Sequence, residues 1–456
     1  MVSEIFAAFV QGSPVSVMFR ATLERILSAP KMDAIFSQAA VRQKTGELLF
    51  STCVDLMALV VAKVRKSVHA AYRAQADHVQ VSVRSIYNKL AGIEPQVSEQ
   101  MVATTVAEMV ALLPQMGVRP ETPLPGYEVR LVDGNYLAGT EHRLAELRPL
   151  GAAALPGMTL CIFDPQWQLV RDVIACQDGH TNERSLVARV LSKVEAGQCW
   201  VADRNFCFFA FLFGIAARQA FFVVRQHPQV VGELLGKRRK LRRVEGGMLY
   251  EQRLQVTNRA GESLVLRRIT IDLDQPTRFD ETELHLLTNL PPEMGATPIV
   301  AVYRNRWSIE TAFMHLATVL RSEVNTLGYP DAAIFGFCIG LLLYNVLAFL
   351  EAALRTAHRR KLTSHSLSMY YLADEISGVY RGMMIAIPAP HWTQAYATQT
   401  PEAFAEQMLW LAKKVEITRF FANAPSQKKP PPKRQSGYRG NHVSTFKLLQ
   451  QRKQSC

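Results

Sequence analysis

The chain lacks any CxxC pair, any internal repeat and any secretory leader pattern, and it is short of acidic residues. Its seven cysteines (53, 161, 176, 199, 207, 338 and 456) are scattered over 456 residues. That spacing excludes a cysteine-based zinc module and a disulfide-stapled scaffold. Several lie in apolar runs, where cysteine behaves as a small buried hydrophobe, and the set fits a reducing cytosol. The N-terminus has no basic stretch followed by an uninterrupted apolar one, so no signal peptide is expected and a cytoplasmic location is. Acidic residues number 39 against 52 Lys plus Arg, a net charge of +13. Such a balance favours a polyanionic partner, nucleic acid ahead of an anionic membrane, although a solvated basic surface gives the same sum.

Long apolar runs are also scarce. The exception, 332–350, is almost long enough to span a bilayer. Asn345 lies inside it, and Glu351 and Arg355 follow, so a buried core helix is expected and a membrane partner is not. Charged residues make up 20% and hydrophobic ones 48% of the chain, enough apolar material for more than one core.

What is present divides the chain into segments. Residues 1–113 read as a helical DNA-binding region. Within it, Ser82 to Leu90 forms a short helix whose Arg84, Asn88 and Lys89 suit a major groove or, equally, the solvated face of a bundle. Pro114, Gly117, Pro120, Pro123, Pro125 and Gly126 mark a linker over 114–126. Over 127–228 the pattern becomes that of an α/β domain with a mixed β-sheet. Strands are expected over 127–133, 158–163, 168–175, 199–202 and 220–225, with helices over 183–194 and 206–218. Residues 229–283 form a β-rich insertion that contains the basic run Lys237, Arg238, Arg239, Lys240, Leu241, Arg242 and Arg243. The core resumes over 284–355, and a helical C-terminal region follows over 356–425. The tail, 426–456, has eight Lys or Arg, no Asp or Glu and three consecutive prolines, so it is expected to be extended or disordered when free.

Three acidic residues carry the chemistry. Asp133 ends the alternation YEVRLVD and is followed by Gly134 and Asn135, a turn signal. Asp203 follows the short apolar strand Cys199 to Ala202. Each alone could be an Asx-turn or a helix cap. Glu310 lies in a helix whose apolar stripe is Val302, Ile309, Phe313, Leu316 and Leu320, with Tyr303, Arg306 and Glu310 along its edge. An Arg306–Glu310 pair at i,i+4 explains two of these residues, but not Tyr303, Trp307 and the upstream aspartates. Three carboxylates from two strands and a helix can hold hard divalent cations, and Arg306 can hold a phosphate oxygen with its planar fork.

The string YRNRWSIETAF, preceded by LHLLTNLP, resembles the signature of IS4-type bacterial insertion-sequence transposases. VDGNYL around Asp133 and VADRNF around Asp203 are similar to that family's other acidic blocks, in the same order over about 127–350. The resemblance implies an RNase H-like catalytic core with a β-rich insertion and a catalytic, metal-binding triad of Asp133, Asp203 and Glu310. It also implies two Mg²⁺ ions, with Mn²⁺ as a substitute. Double-stranded DNA, both element ends and target, would be the partner of a homodimer working in the bacterial cytoplasm at the nucleoid. The implied reaction is cut-and-paste. Terminal inverted repeats are bound and cut by hydrolysis, and the 3′ ends are joined to target DNA. Tyr303 and Arg306 would hold phosphate, and Trp307 would either stack on a displaced base or sit half-buried in the core. Arg225, Lys237, Arg238, Arg239 and Lys240 are further candidate DNA contacts. The family pattern carries Lys or Arg seven residues after the glutamate, where this chain has Ala317. Arg321, one turn further on the same face, is the expected substitute. A metal-dependent nuclease without strand transfer, and a non-catalytic DNA-binding relative, are the alternatives.

Overall fold

The protein is seen here as a computed structural model, which describes residues 4–76, 79–137, 144–147, 149, 154–277, 279–423 and 443–455. The N-terminal helices are α1 (Ala7–Gly12), α2 (Pro14–Ile26), α3 (Ala29–Ala39), α4 (Phe50–Val61), α5 (Val68–Ala74), α6 (Val83–Leu90) and α7 (Pro95–Gln115). Helix α7 includes Pro114, one residue before its end, where the ring removes one i to i−4 bond.

A nine-stranded mixed sheet follows. Its strands are β1 (Glu128–Leu137), β3 (Gly157–Asp164), β4 (Leu169–Cys176), β5 (Gln198–Ala202), β6 (Phe221–Arg225), β7 (Glu233–Val244), β8 (Gly247–Thr257), β9 (Ser263–Leu273) and β10 (Glu283–Thr288). The short strands β2 (Ala154–Leu155) and β11 (Val443–Ser444) pair separately. The order in the large sheet is β4-β3-β1-β5-β6-β10-β9-β8-β7. Strands β1, β5 and β6 are parallel, and the flanking pairs are antiparallel. This is the expected mixed α/β core, and its insertion strands β7 to β9 extend the same sheet through β10.

Alternation along the central strands feeds two apolar layers. Val129, Leu131, Cys199 and Val201 face one, and Val132, Trp200 and Ala202 face the other. Helices α8 (Val187–Leu191) and α9 (Phe209–Ala217) cover the second layer. Helices α10 (Ala296–Arg304), α11 (Trp307–Thr318) and α12 (Pro330–Ala357) cover the first. Helix α12 is long and apolar enough to cross a membrane, but 94% of its apolar window is buried within the protein. Its buried Asn345 has a specific partner. The side-chain amide donates to the Val170 carbonyl and accepts from the Val170 N–H, both at 2.8 Å. Glu99 of α7 accepts from Ala175 N–H at 2.8 Å. Edge strand β4 is thus covered by helix side chains, which blocks edge-to-edge pairing.

Helices α13 (Met369–Ala386), α14 (Ala389–Trp392) and α15 (Pro401–Lys414) return to the N-terminal bundle, where Arg25 Nη1 donates to the Gln399 carbonyl at 2.8 Å. The tail departs from expectation. Its described end forms β11, paired with β2, and α16 (Thr445–Ser455), whose Leu448 and Leu449 pack on Leu144 and Leu147. Those leucines, and the Lys447 to Asp178 ion pair at 3.1 Å, give this segment a docking site that composition alone did not reveal. Tail residues 426–442 lie outside the described residues.

Candidate active site

The parallel register of β1 and β5 ends at Val132 opposite Ala202. The next residue on each strand is an aspartate, Asp133 and Asp203, so period-two alternation turns both toward the layer of α11. Asp133 is not at a strand end as expected. β1 continues to Leu137 because its other neighbour, β3, keeps pairing (Asp133 with Cys161, Gly134 with Leu160). Asp203 caps the 3-10 turn Arg204–Phe206, its Oδ1 accepting from Asn205 N–H at 2.8 Å.

Glu310 lies in the first turn of α11. Tyr303 and Glu310 do not share one continuous helix. Helix α10 ends at Arg304, and the chain passes through i to i+3 bonds, Arg306 N to Tyr303 O at 3.2 Å and Ser308 N to Asn305 O at 2.9 Å. A turn of three residues eclipses positions i and i+3, which sets Tyr303 beside Arg306. Arg306 joins the acids, with Nη1 donating to Asp133 Oδ2 at 2.9 Å and Nη2 to Glu310 Oε1 at 3.2 Å. It is 8% exposed, and among the described residues its Nε has no acceptor. Burial lowers its proton affinity, but Asp133, Tyr303 and Glu310 more than compensate and raise it.

Burial pushes the Asp133 carboxyl up to about 6; Arg306 opposes that rise, while Asp203 and Glu310 add to it. A fourth acid shares this environment. Glu183 rises to about 7 through burial first, then through Asp203 and Asp133. Neither Glu183 nor its neighbour Asn205 was a sequence candidate; the only signal was Gly134 directly after Asp133. All four acids are hard oxygen donors, so by chemistry the set fits a divalent cation such as Mg²⁺. Among the described residues no three of them converge on one point, and the Arg306 guanidinium lies between Asp133 and Glu310.

The other candidates are distributed unevenly. Trp307 is 63% exposed, which removes the half-buried core alternative. Arg225 is paired with Glu281. The basic run is part of edge strand β7. There Arg238 pairs with Glu283 at 2.7 Å and lies over the Tyr250 ring, and Arg239 pairs with Glu251 at 2.8 Å. Lys237 and Lys240 face solvent along the same strand. In α6, Arg84 and Asn88 are exposed, whereas Lys89 lies 4.0 Å over the Phe36 ring.

Arg321 lies off the helical wheel that made it the expected substitute for the missing basic residue at Ala317. Helix α11 ends at Thr318, so the helical wheel does not extend to Arg321. Its N–H bonds to Val61 O at 2.9 Å and its guanidinium to Lys66 O at 2.6 Å, both in the N-terminal region. Ala317 is exposed.

Residues 125–346, from just before β1 into α12, match the family model described as the Transposase DDE domain. That domain type implies use of divalent metal and action on DNA. The chain is also similar to y4zB, a protein of Sinorhizobium fredii (strain NBRC 101917 / NGR234) provisionally named a transposase. The identity is 26% over 178 residues, 38% of this chain and 47% of that protein. The chain therefore spans about half the length of this curated relative.

Proposed function

We propose that this protein is a DDE-type DNA transposase working by cut-and-paste, with Asp133, Asp203 and Glu310 as its metal-holding triad. The observation that carries the reading is the register: two aspartates directly past the last paired residues of adjacent parallel strands, linked through Arg306 to a helix glutamate. The family match over the same segment supports it.

Two Mg²⁺ ions, or Mn²⁺ in their place, would supply activation of the attacking water or 3′-hydroxyl and stabilisation of the leaving oxygen. The protein's own residues orient the DNA. Arg306 has a fork suited to a phosphate oxygen, and its Nε is still without an acceptor among the described residues. Trp307 presents its ring to solvent next to the acids, where a base freed from the duplex end can stack. Lys237 and Lys240 on β7 neutralise phosphates further along the element end. Two protomers hold the two ends, which the 3′-end joining step requires.

A DNA-binding relative that does not cut is the second reading, favoured by Ala317 and by the engagement of Arg321 elsewhere. The test uses the full chain and DNA carrying the inverted repeats that bracket its gene. With Mg²⁺ or Mn²⁺ the wild type cuts at the repeat ends, and Asp133→Asn abolishes cutting while retaining end binding. Absence of cutting by the wild type with either metal overturns the catalytic reading.

A further inference from the structure

Lys63 stands just past the end of α4 with φ at 61, a left-handed conformation that glycine ordinarily supplies at that place. A lysine held there against its backbone preference points to a task for its side chain. Its Nζ donates to the Thr318 carbonyl at 2.7 Å, at the far end of the helix that carries Glu310. Arg321 makes the return contacts. Its N–H donates to the Val61 carbonyl at 2.9 Å and its Nη1 to the Lys66 carbonyl at 2.6 Å. These bonds lock residues 61–66 of the N-terminal region to residues 318–321 of the core.

The lock gathers cations without neutralising them. Among the described residues Lys63, Lys66 and Arg321 form no ion pair, whereas Arg225, Arg238 and Arg239 each have a carboxylate. Burial first, and then the like charge of Arg321, lowers the Lys63 ammonium below its ordinary value. Lys63 and Lys66 are both exposed, and the Lys63 ammonium uses one of its three donors on Thr318. The surrounding sequence offers little to offset the charge, since residues 56–93 contain six Lys or Arg and one acidic residue. Cations packed together in this way leave a positive potential that suits an anion from outside.

The exposed face of α11 leads to this point. Trp307, Thr311, Met314 and Thr318 lie at helical spacing and are all exposed. Thr318 is eight residues beyond Glu310, about 12 Å along the axis. A DNA strand passing Glu310 along this face therefore reaches Lys63 after roughly three or four nucleotides, at about 3.4 Å each.

We propose that Lys63 and Lys66, held against the end of α11 by Arg321, bind backbone phosphates of the DNA strand that passes Glu310. The N-terminal region and the catalytic helix then grip one duplex, and the two lysines position it without reading its sequence. This rests on the transposase reading above.

The test uses the full chain and repeat-end DNA. Lys63→Gly separates phosphate binding from a purely structural role, because glycine takes the left-handed conformation freely. The variant is expected to resist urea at least as well as the wild type, yet its slope of log end affinity against log salt should fall by about 1. Lys66→Gln keeps the carbonyl that Arg321 uses and should show a similar fall, while Lys63→Arg keeps the wild-type slope. Phosphate-ethylation interference locates the contact: modification at the distance given above hinders the wild type and not Lys63→Gly. Lower urea resistance of Lys63→Gly with unchanged slope and ethylation pattern makes Lys63 a strut only and overturns the proposal, while cutting by the wild type leaves the transposase reading intact. Should Lys63→Gly not fold, the slope and ethylation pattern of Lys66→Gln decide in the same way. If the wild type neither binds the repeat ends nor cuts them, the reading itself fails and the proposal with it.

Discussion

Arg306 is the positive charge between Asp133 and Glu310, so it competes with any cation for the same oxygens. Arg306→Gln is therefore expected to tighten Mn²⁺ binding to the DNA-free protein while slowing end cleavage by about 10²-fold, the scale of losing one oriented donor. Mn²⁺ titration and single-turnover cleavage measure the two effects, and a parallel fall in both would contradict the competition. Trp307 is the opposite case, a large ring with little packing to lose. Trp307→Ala should leave unfolding stability within about 0.5 kcal/mol. It should weaken the cleaved-end complex by about 1–3 kcal/mol, the worth of one stacked base. Denaturant unfolding and end-binding titration check both. Trp307 and Arg306 were both visible in the sequence because they share one short string. Glu183 was not, since its carboxylate fills the space a Gly134 Cβ would occupy only because the turns Glu183–Leu186 and Arg204–Phe206 are tied by Arg184 Nε to the Asn205 carbonyl.

Elements succeed or fail by how they end. The strands around Asp133 were legible from alternation and apolar runs, but the end of β1 was not, because β3 keeps pairing after β5 has stopped. The helix after Glu310 was legible only as far as Thr318. Beyond it the backbone turns to bond with Val61, so Arg321 does not share the Glu310 face. Two side chains that secure elements give direct predictions. Asn345→Ala leaves the buried N–H and carbonyl of Val170 unpaired, at a cost of about 1–3 kcal/mol for each group. Urea unfolding should therefore show a loss of several kcal/mol, and a loss below about 1 kcal/mol would refute the edge-cover role. Glu94 is 1% exposed and accepts the N–H groups of Val41 and Arg42, bonds that overcome burial and lower its carboxyl below the ordinary 4.5. A depressed carboxylate contributes stability above its unfolded value and loses it as pH falls through the folded one. The gap between wild type and Glu94→Gln should thus be full at neutral pH and shrink below about pH 4.5. Paired unfolding curves from pH 3 to 7 check the sign.

At the scale of the whole molecule, the charge of +13 is divided between paired and free cations. Arg225, Arg238 and Arg239 are held by Glu281, Glu283 and Glu251, whereas Lys237 and Lys240 point to solvent. Composition shows the excess but not this division, which depends on cross-strand neighbours. Replacing both lysines by alanine should reduce the slope of log affinity against log salt by about 2, with little change in sequence preference. An unchanged slope would place DNA on another face. The continuity of the sheet has one more consequence, that of a tape measure. Strand β7 stands six strand intervals from β1 in one unbroken ladder. At about 4.8 Å per interval the span is roughly 29 Å. At about 3.4 Å of duplex per base pair, this corresponds to roughly eight or nine base pairs from the cut. Footprints of the wild type and the double alanine variant should accordingly differ in a window that far inside each element end, with protection at the terminal base pairs retained.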